Sequence, residues 1–354
     1  MFRHLSRALV TLLVATCTLP ALAIPAAERQ MLVDLYNSTN GDGWRNNTDW
    51  KTAGDFSPAG TECKWYGVGC NASQTQVTRI ELSTNKLTGT LPAKLDRLSA
   101  LEAFNVSGNQ FNGSLPSLTG LTTLQYFAAD GARLIRADRL TGNIPSLTGL
   151  TALRHFSVEG NRLTGDIPSL TGLTALEVFN VSSNQLTGSL PSLTGLTKLR
   201  YFNAYENQLT GSIPDLTGLT ALAFFSANQN QLTGDIPSLA GLTRLRHFYV
   251  SKNRLIGNIP SLTGLTALTG FAVDNNQLTG SIPSLSGLTA LQYLMVNNNQ
   301  LTGTPPAAPV SLRLSNQSRL CPNRLSAPSS TNDAWNKATG SKDWHRECTL
   351  APTP

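Results

Sequence analysis

The segment LTGDIPSLTGLTALEVFNVSSNQ, Leu163 to Gln185, returns with small edits from about Val77 to Gln300. The proline of its Ile-Pro or Leu-Pro pair falls at Pro145, Pro168, Pro191, Pro214, Pro237, Pro260 and Pro283, each 23 residues after the last. In a chain of fixed short period, each repeat buries its apolar side only against its neighbours. The sequence therefore predicts a repeat solenoid, which offers an extended surface rather than a closed pocket.

Within one repeat, Leu176, Phe179 and Val181 are expected to point inward from a short strand, with Leu186 at the turn. Val178, Asn180 and Ser182 then point outward, at the strand period of two. Stacked strands about 4.8 Å apart would bury the apolar side as a parallel sheet. Asn184 ends the strand, and its amide has donors and an acceptor for the backbone at the bend. Its copies, Asn85, Asn109, Asn161, Asn207, Asn230, Asn253, Asn276 and Asn299, predict a stacked ladder. In the return arm Gly188 permits a tight bend and Pro191 blocks helix propagation. What remains is too short for a long helix, so convex segments should be short 3₁₀ or irregular pieces.

The L-x-x-F-x-V-x-x-N-x-L core is the leucine-rich-repeat signature. With its Leu-Thr-Gly-x-Ile-Pro arm it resembles the plant-type class of receptor ectodomains and polygalacturonase-inhibiting proteins, which also occurs in secreted bacterial proteins. The resemblance covers roughly residues 26–320, and each repeat is one residue shorter than the usual plant-type unit. It implies a right-handed superhelix with a concave parallel sheet and capped ends, and a protein or peptide ligand. Seven Asn-x-Ser/Thr sequons include Asn105 and Asn180 on the concave side, where a glycan would obstruct binding; a secreted bacterial member is expected.

Residues 1–23 read as an export signal, with Arg3 and Arg7, an apolar run from Ala8 to Leu19, and cleavage near Ala23. That run is too short to span a bilayer. The mature chain is expected to be secreted, or periplasmic or at the cell surface. Its charge falls from +6 to +4 when the two arginines leave, too mild to imply nucleic acid. Residues 24–76 form an N-terminal cap, 77–308 the repeats, and 309–354 a degenerate repeat near Leu312 and Leu314 with a C-terminal cap. Four mature cysteines should be oxidised in an exported chain. Ten strands separate the ends by more than about 40 Å, while a disulfide needs Cα atoms within about 7 Å. The pairs are therefore Cys63–Cys70 and Cys321–Cys348. Tryptophan is absent from the repeats and should seal both ends.

No acid, base and nucleophile converge. His155 and His247 occupy equivalent positions about 19 Å apart at the strand spacing, and read as ordinary surface histidines. Neither a cofactor, a metal site nor an enzymatic activity is expected; oligomeric state is left open. Concave positions vary, and Tyr gives large contact area at small entropy cost. The candidate ligand-binding set is Tyr201, Asn203, Tyr205, Phe224, Asn228, His247, Tyr249 and Lys252, with Asn203, Asn228 and Lys252 as its rim. The expected function is non-catalytic binding of a protein or peptide through this face. A carbohydrate or cell-wall polymer ligand and a structural or adhesive module are the alternatives.

One irregularity breaks the period. Pro116 to Pro145 spans 29 residues. The excess around Ala132–Leu140 places either Ala132 or Asp138 in the ladder phase. It also carries Arg133, Arg136 and Arg139, a candidate contact loop for an acidic partner.

Overall fold

The computed structural model describes residues 23–132, 139–313, 317–326 and 332–349. Nearly all of the export signal, together with Arg133, Arg136, Asp138 and Leu314, lies outside them. Ten parallel strands follow one another in chain order across one sheet: β1 (Val77–Glu81), β2 (Ala103–Asn105), β3 (Tyr126–Ala128), β4 (His155–Ser157), β5 (Val178–Asn180), β6 (Tyr201–Asn203), β7 (Phe224–Ser226), β8 (His247–Tyr249), β9 (Gly270–Ala272) and β10 (Tyr293–Met295). A strand at Val68–Cys70 pairs antiparallel with β1 and covers the N-terminal edge.

Among the ten parallel strands the register does not slip. Phe179 lies opposite Phe156 on one side and Phe202 on the other. Identical residues therefore stack on themselves. Phe104, Phe127, Phe156, Phe179, Phe202, Phe225, Phe248 and Phe271 form a buried spine, with successive centroids 5.3 to 5.7 Å apart. Leu176, Val181 and Leu186 are fully buried beside it, as their phase requires.

The asparagine ladder forms. Asn184 Nδ2 donates to Val181 O of its own repeat (3.1 Å) and to Val158 O of the preceding one (3.0 Å), while its Oδ1 accepts from Leu163 N (3.0 Å). One side chain thus satisfies three backbone groups at a bend that water does not reach. The ladder continues to Asn323, which donates to Val296 O and Leu320 O. The degenerate repeat expected near Leu312 therefore extends to a rung the period does not mark.

On the return arm a second set of bonds keeps the repeats in step, including Thr187 N to Gly165 O and Thr210 N to Gly188 O. Gly188 supports this with φ 68°. The convex side consists of single turns, such as Leu173 N to Leu170 O and Leu176 N to Leu173 O.

Helix α1 (Ala26–Ser38) caps the first repeat with Met31, Leu32, Leu35 and Tyr36. Tyr36 packs on Trp44 and Trp50, and Trp50 on Trp65. Trp335 and Trp344 are buried at the other end. Both disulfides pair within a cap, Cys63 with Cys70 (Cα–Cα 5.5 Å) and Cys321 with Cys348 (4.7 Å).

At the insertion, Gly131 N donates to Glu159 O as Ser183 N does to Tyr205 O. Ala132 therefore follows in the ladder phase and brings no amide. Asn161 still makes the regular pair of bonds, donating from Nδ2 to Val158 O of its own repeat (3.1 Å) and to Ala129 O across the insertion (2.9 Å).

Candidate functional site

Strand alternation raises three columns of side chains on the concave face. The first runs Tyr126, His155, Val178, Tyr201, Phe224, His247, Gly270, Tyr293, each directly opposite the next. The second includes Asn180, Asn203, Ser226, Tyr249, Ala272 and Met295. The third follows the strands and includes Tyr205, Asn228, Ser251 and Asp274.

Aromatic side chains in the first two columns meet. Tyr201 and Phe224 stack face to face, with centroids 4.4 Å apart and planes 11° apart. Phe224 then meets Tyr249 edge-on (5.6 Å, 88°) and His247 at 5.9 Å. Tyr249 Oη lies 2.7 Å from His247 Nδ1; a neutral imidazole accepts there and the phenol donates. Tyr249 in turn packs on Tyr293 (6.0 Å, 30°). The row spans β6 to β10, and all five side chains are half-buried.

Sequence reasoning named four of these five rings and left Tyr293 out of its candidate set. Its signal was present, since Tyr293 sits in phase with Tyr201. Tyr205 belongs to a different environment: it is half-buried, and its backbone N–H donates to Asn203 Oδ1. Among the described ring contacts none joins it to the row. The three expected rim residues lie in three different settings. Asn228 Oδ1 accepts from Ser251 N (2.7 Å), so it ties two repeats together. Lys252 is exposed at φ 55°, in the turn beyond β8 rather than on the concave strand. Asn203 lies inside the row, donating to Tyr201 Oη (3.2 Å).

The two histidines are not ordinary surface groups. His155 stacks on Tyr126 (4.2 Å, 12°). Burial holds both imidazoles below the usual histidine range; Asp130 opposes this at His155, and Arg246 adds to it at His247. Burial likewise pushes the Tyr126, Tyr201 and Tyr293 phenols up.

A groove of about 580 Å³ lies beside the insertion, lined in part by Asp130, Arg139, Glu159 and Glu206. Several of these groups already have partners. Asp130 accepts from Ser157 Oγ and Glu159 N, Glu159 from Asn180, and Glu206 from Ser183. Arg139, the only one of the three loop arginines among the described residues, is half-buried, lines this groove and donates to Gly160 O.

Among the described residues no group of three His, Cys, Asp or Glu could hold a metal ion, and no helix is long and apolar enough to cross a membrane. The architecture is that of a leucine-rich-repeat solenoid, and the Leucine Rich Repeat family model matches residues 175–196. Receptor-like kinase TMK4 of Arabidopsis thaliana is 34% identical over 83 residues, 23% of this chain and 8% of that protein. The chain thus matches less than a tenth of the length of such relatives. The ectodomain of the Arabidopsis thaliana receptor kinase GASSHO1/SCHENGEN3, solved with CASPARIAN STRIP INTEGRITY FACTOR 2, superposes with a TM-score of 0.71 at 32% identity, covering 84% of this chain and 36% of that one. The plant peptide hormone receptor RGFR1, solved with RGF2, gives 0.60 at 29% identity, covering 72% and 45%.

Proposed function

We propose that this chain is an exported, non-catalytic receptor module that binds an extended peptide segment across the concave face. The observation that carries the reading is the row of aromatic side chains from Tyr201 to Tyr293, raised on β6, β7, β8 and β10 with no ladder or core role to explain it. Half-buried aromatic clusters are the groups that anchor protein ligands. Two solenoids of this architecture, at 32% and 29% identity, were solved with bound partners, and one is described as a peptide hormone receptor. The two disulfides fit an oxidising compartment, as does an export signal ending at Ala23, and the proposed units are those of the sequence: caps at 24–76 and 309–354 around repeats 77–308.

Ring geometry supports a peptide over a glycan. Tyr201 and Phe224 stack on each other, so each has one face occupied by its neighbour rather than open as a sugar platform. The test is selection from a phage-displayed random peptide library against the mature chain. Tyr201→Ala with Tyr249→Ala should weaken the selected peptides by at least about 2 kcal/mol with little change in Tm. Binding that survives the double variant, or a variant that simply unfolds, would move the site elsewhere.

A further inference from the structure

The first concave column carries a side chain beyond the backbone at every described position except Gly270. This glycine is not there for its backbone, because its φ is not in the left-handed region that the turn glycines occupy. What it supplies is the space a Cβ would fill. A Cβ built there would collide with Cζ and Oη of Tyr293 and lie 2.8 Å from Oη of Tyr249. These nearest atoms are all the far ends of tyrosine side chains; none is backbone. Tyr293 reaches from β10, and Tyr249 from β8, over the strand between them. That strand presents only Gly270 and Ala272 to the concave side, and both are buried beneath their neighbours.

The tyrosines leave the pattern set by Tyr201 and Phe224. Those two rings are nearly parallel at 4.4 Å. Tyr249 is turned 88° to Phe224, and Tyr293 lies a looser 6.0 Å from Tyr249. Tyr293 is also on the last strand of the sheet, with no further ring beyond it among the described contacts.

We infer that Gly270 is the specificity-determining position of the concave face: its missing side chain lets Tyr249 and Tyr293 lie across β9, and together they form the subsite for a ring-bearing side chain, aromatic or proline, of the bound peptide. This rests on the concave-face reading above. Gly270 acts as a positioning residue, through the two tyrosines. The same placement brings Tyr249 Oη to His247 Nδ1, so the state of His247 reports on it.

The test uses library-selected peptides and the mature chain carrying Gly270→Leu, with Gly270→Ala as a milder variant. Selected peptides should share an aromatic residue or proline, lose at least tenfold in affinity for Gly270→Leu, and lose less for Gly270→Ala. In an NMR titration the His247 imidazole of Gly270→Leu should move up toward the usual value as Tyr249 is lifted off it, while the His155 titration stays put. If Tyr201→Ala with Tyr249→Ala abolishes binding but Gly270→Leu leaves both affinity and the His247 titration unchanged, this inference is overturned and the concave-face reading stands. If neither variant affects binding, the concave-face reading itself falls. A Gly270→Leu chain that unfolds leaves Gly270→Ala to decide: an unchanged His247 titration there overturns the proposal.

Discussion

The side-chain amide of Asn161 donates to the carbonyl of Ala129, 32 residues upstream and on the far side of the insertion, at 2.9 Å. In regular repeats the same bond reaches back only 26 residues, as from Asn184 to Val158. One asparagine therefore keeps the ladder continuous where Ala132 cannot contribute. Asn161→Ala would strand the buried carbonyl of Ala129 and take the acceptor from Leu140 N, at about 1–3 kcal/mol for each group left without a partner, while Val158 O keeps its bond from Asn184. Denaturant unfolding should show a larger loss than for Asn276→Ala, whose site is less buried. Faster amide exchange in Asn161→Ala should centre on Ala128 to Gly131. A loss no larger than at Asn276 would mean the insertion is held by something else.

The two disulfides should contribute unequally. Cys63 and Cys70 are 7 residues apart, Cys321 and Cys348 27 apart. On chain-entropy scaling the shorter loop stabilises by about 2.4 kcal/mol and the longer by about 3.5. Cys348→Ser should therefore lower stability more than Cys70→Ser, with loss of protection starting in the C-terminal repeats. Peptide mapping that joined Cys63 to Cys348 would contradict the capped solenoid outright.

Mild acid should weaken the fold through His155 and His247. Both imidazoles are harder to protonate in the folded chain than in the unfolded one. As pH falls through about 6.5 the unfolded chain takes up more protons, so stability declines across that window. Tm should drop between about pH 7.5 and 5.5, before most carboxylates titrate. The double variant His155→Gln with His247→Gln should flatten the curve. An unchanged slope would place the titrating groups elsewhere.

Tyr205 offers a contrast with Tyr249. Both were read from the sequence as concave aromatics, yet only Tyr249 contacts other rings of the row. Tyr205→Ala should leave binding of the selected peptides within about twofold, whereas Tyr249→Ala should weaken it by at least tenfold, the step expected of an anchor residue. Equal effects would show that the peptide extends past the row onto the third column.

The period of 23 residues determined the solenoid, the parallel sheet, the Phe179 and Leu176 core phases, and the Asn184 ladder, because each follows from local spacing repeated without change. It also determined the cystine pairs, since a solenoid holds its ends too far apart for any other. The period could not determine which outward residues meet. Tyr205 and Tyr249 have the same alternation, but contact depends on the lean of side chains across neighbouring strands. Gly270 looks in sequence like another turn glycine. Only the folded sheet shows that its absent Cβ is the space into which Tyr249 and Tyr293 lean. The bridging bond of Asn161, the bond of Arg139 to Gly160 and the engagement of Asn228 with Ser251 were likewise decided in three dimensions, where backbone and polar groups found partners from other repeats.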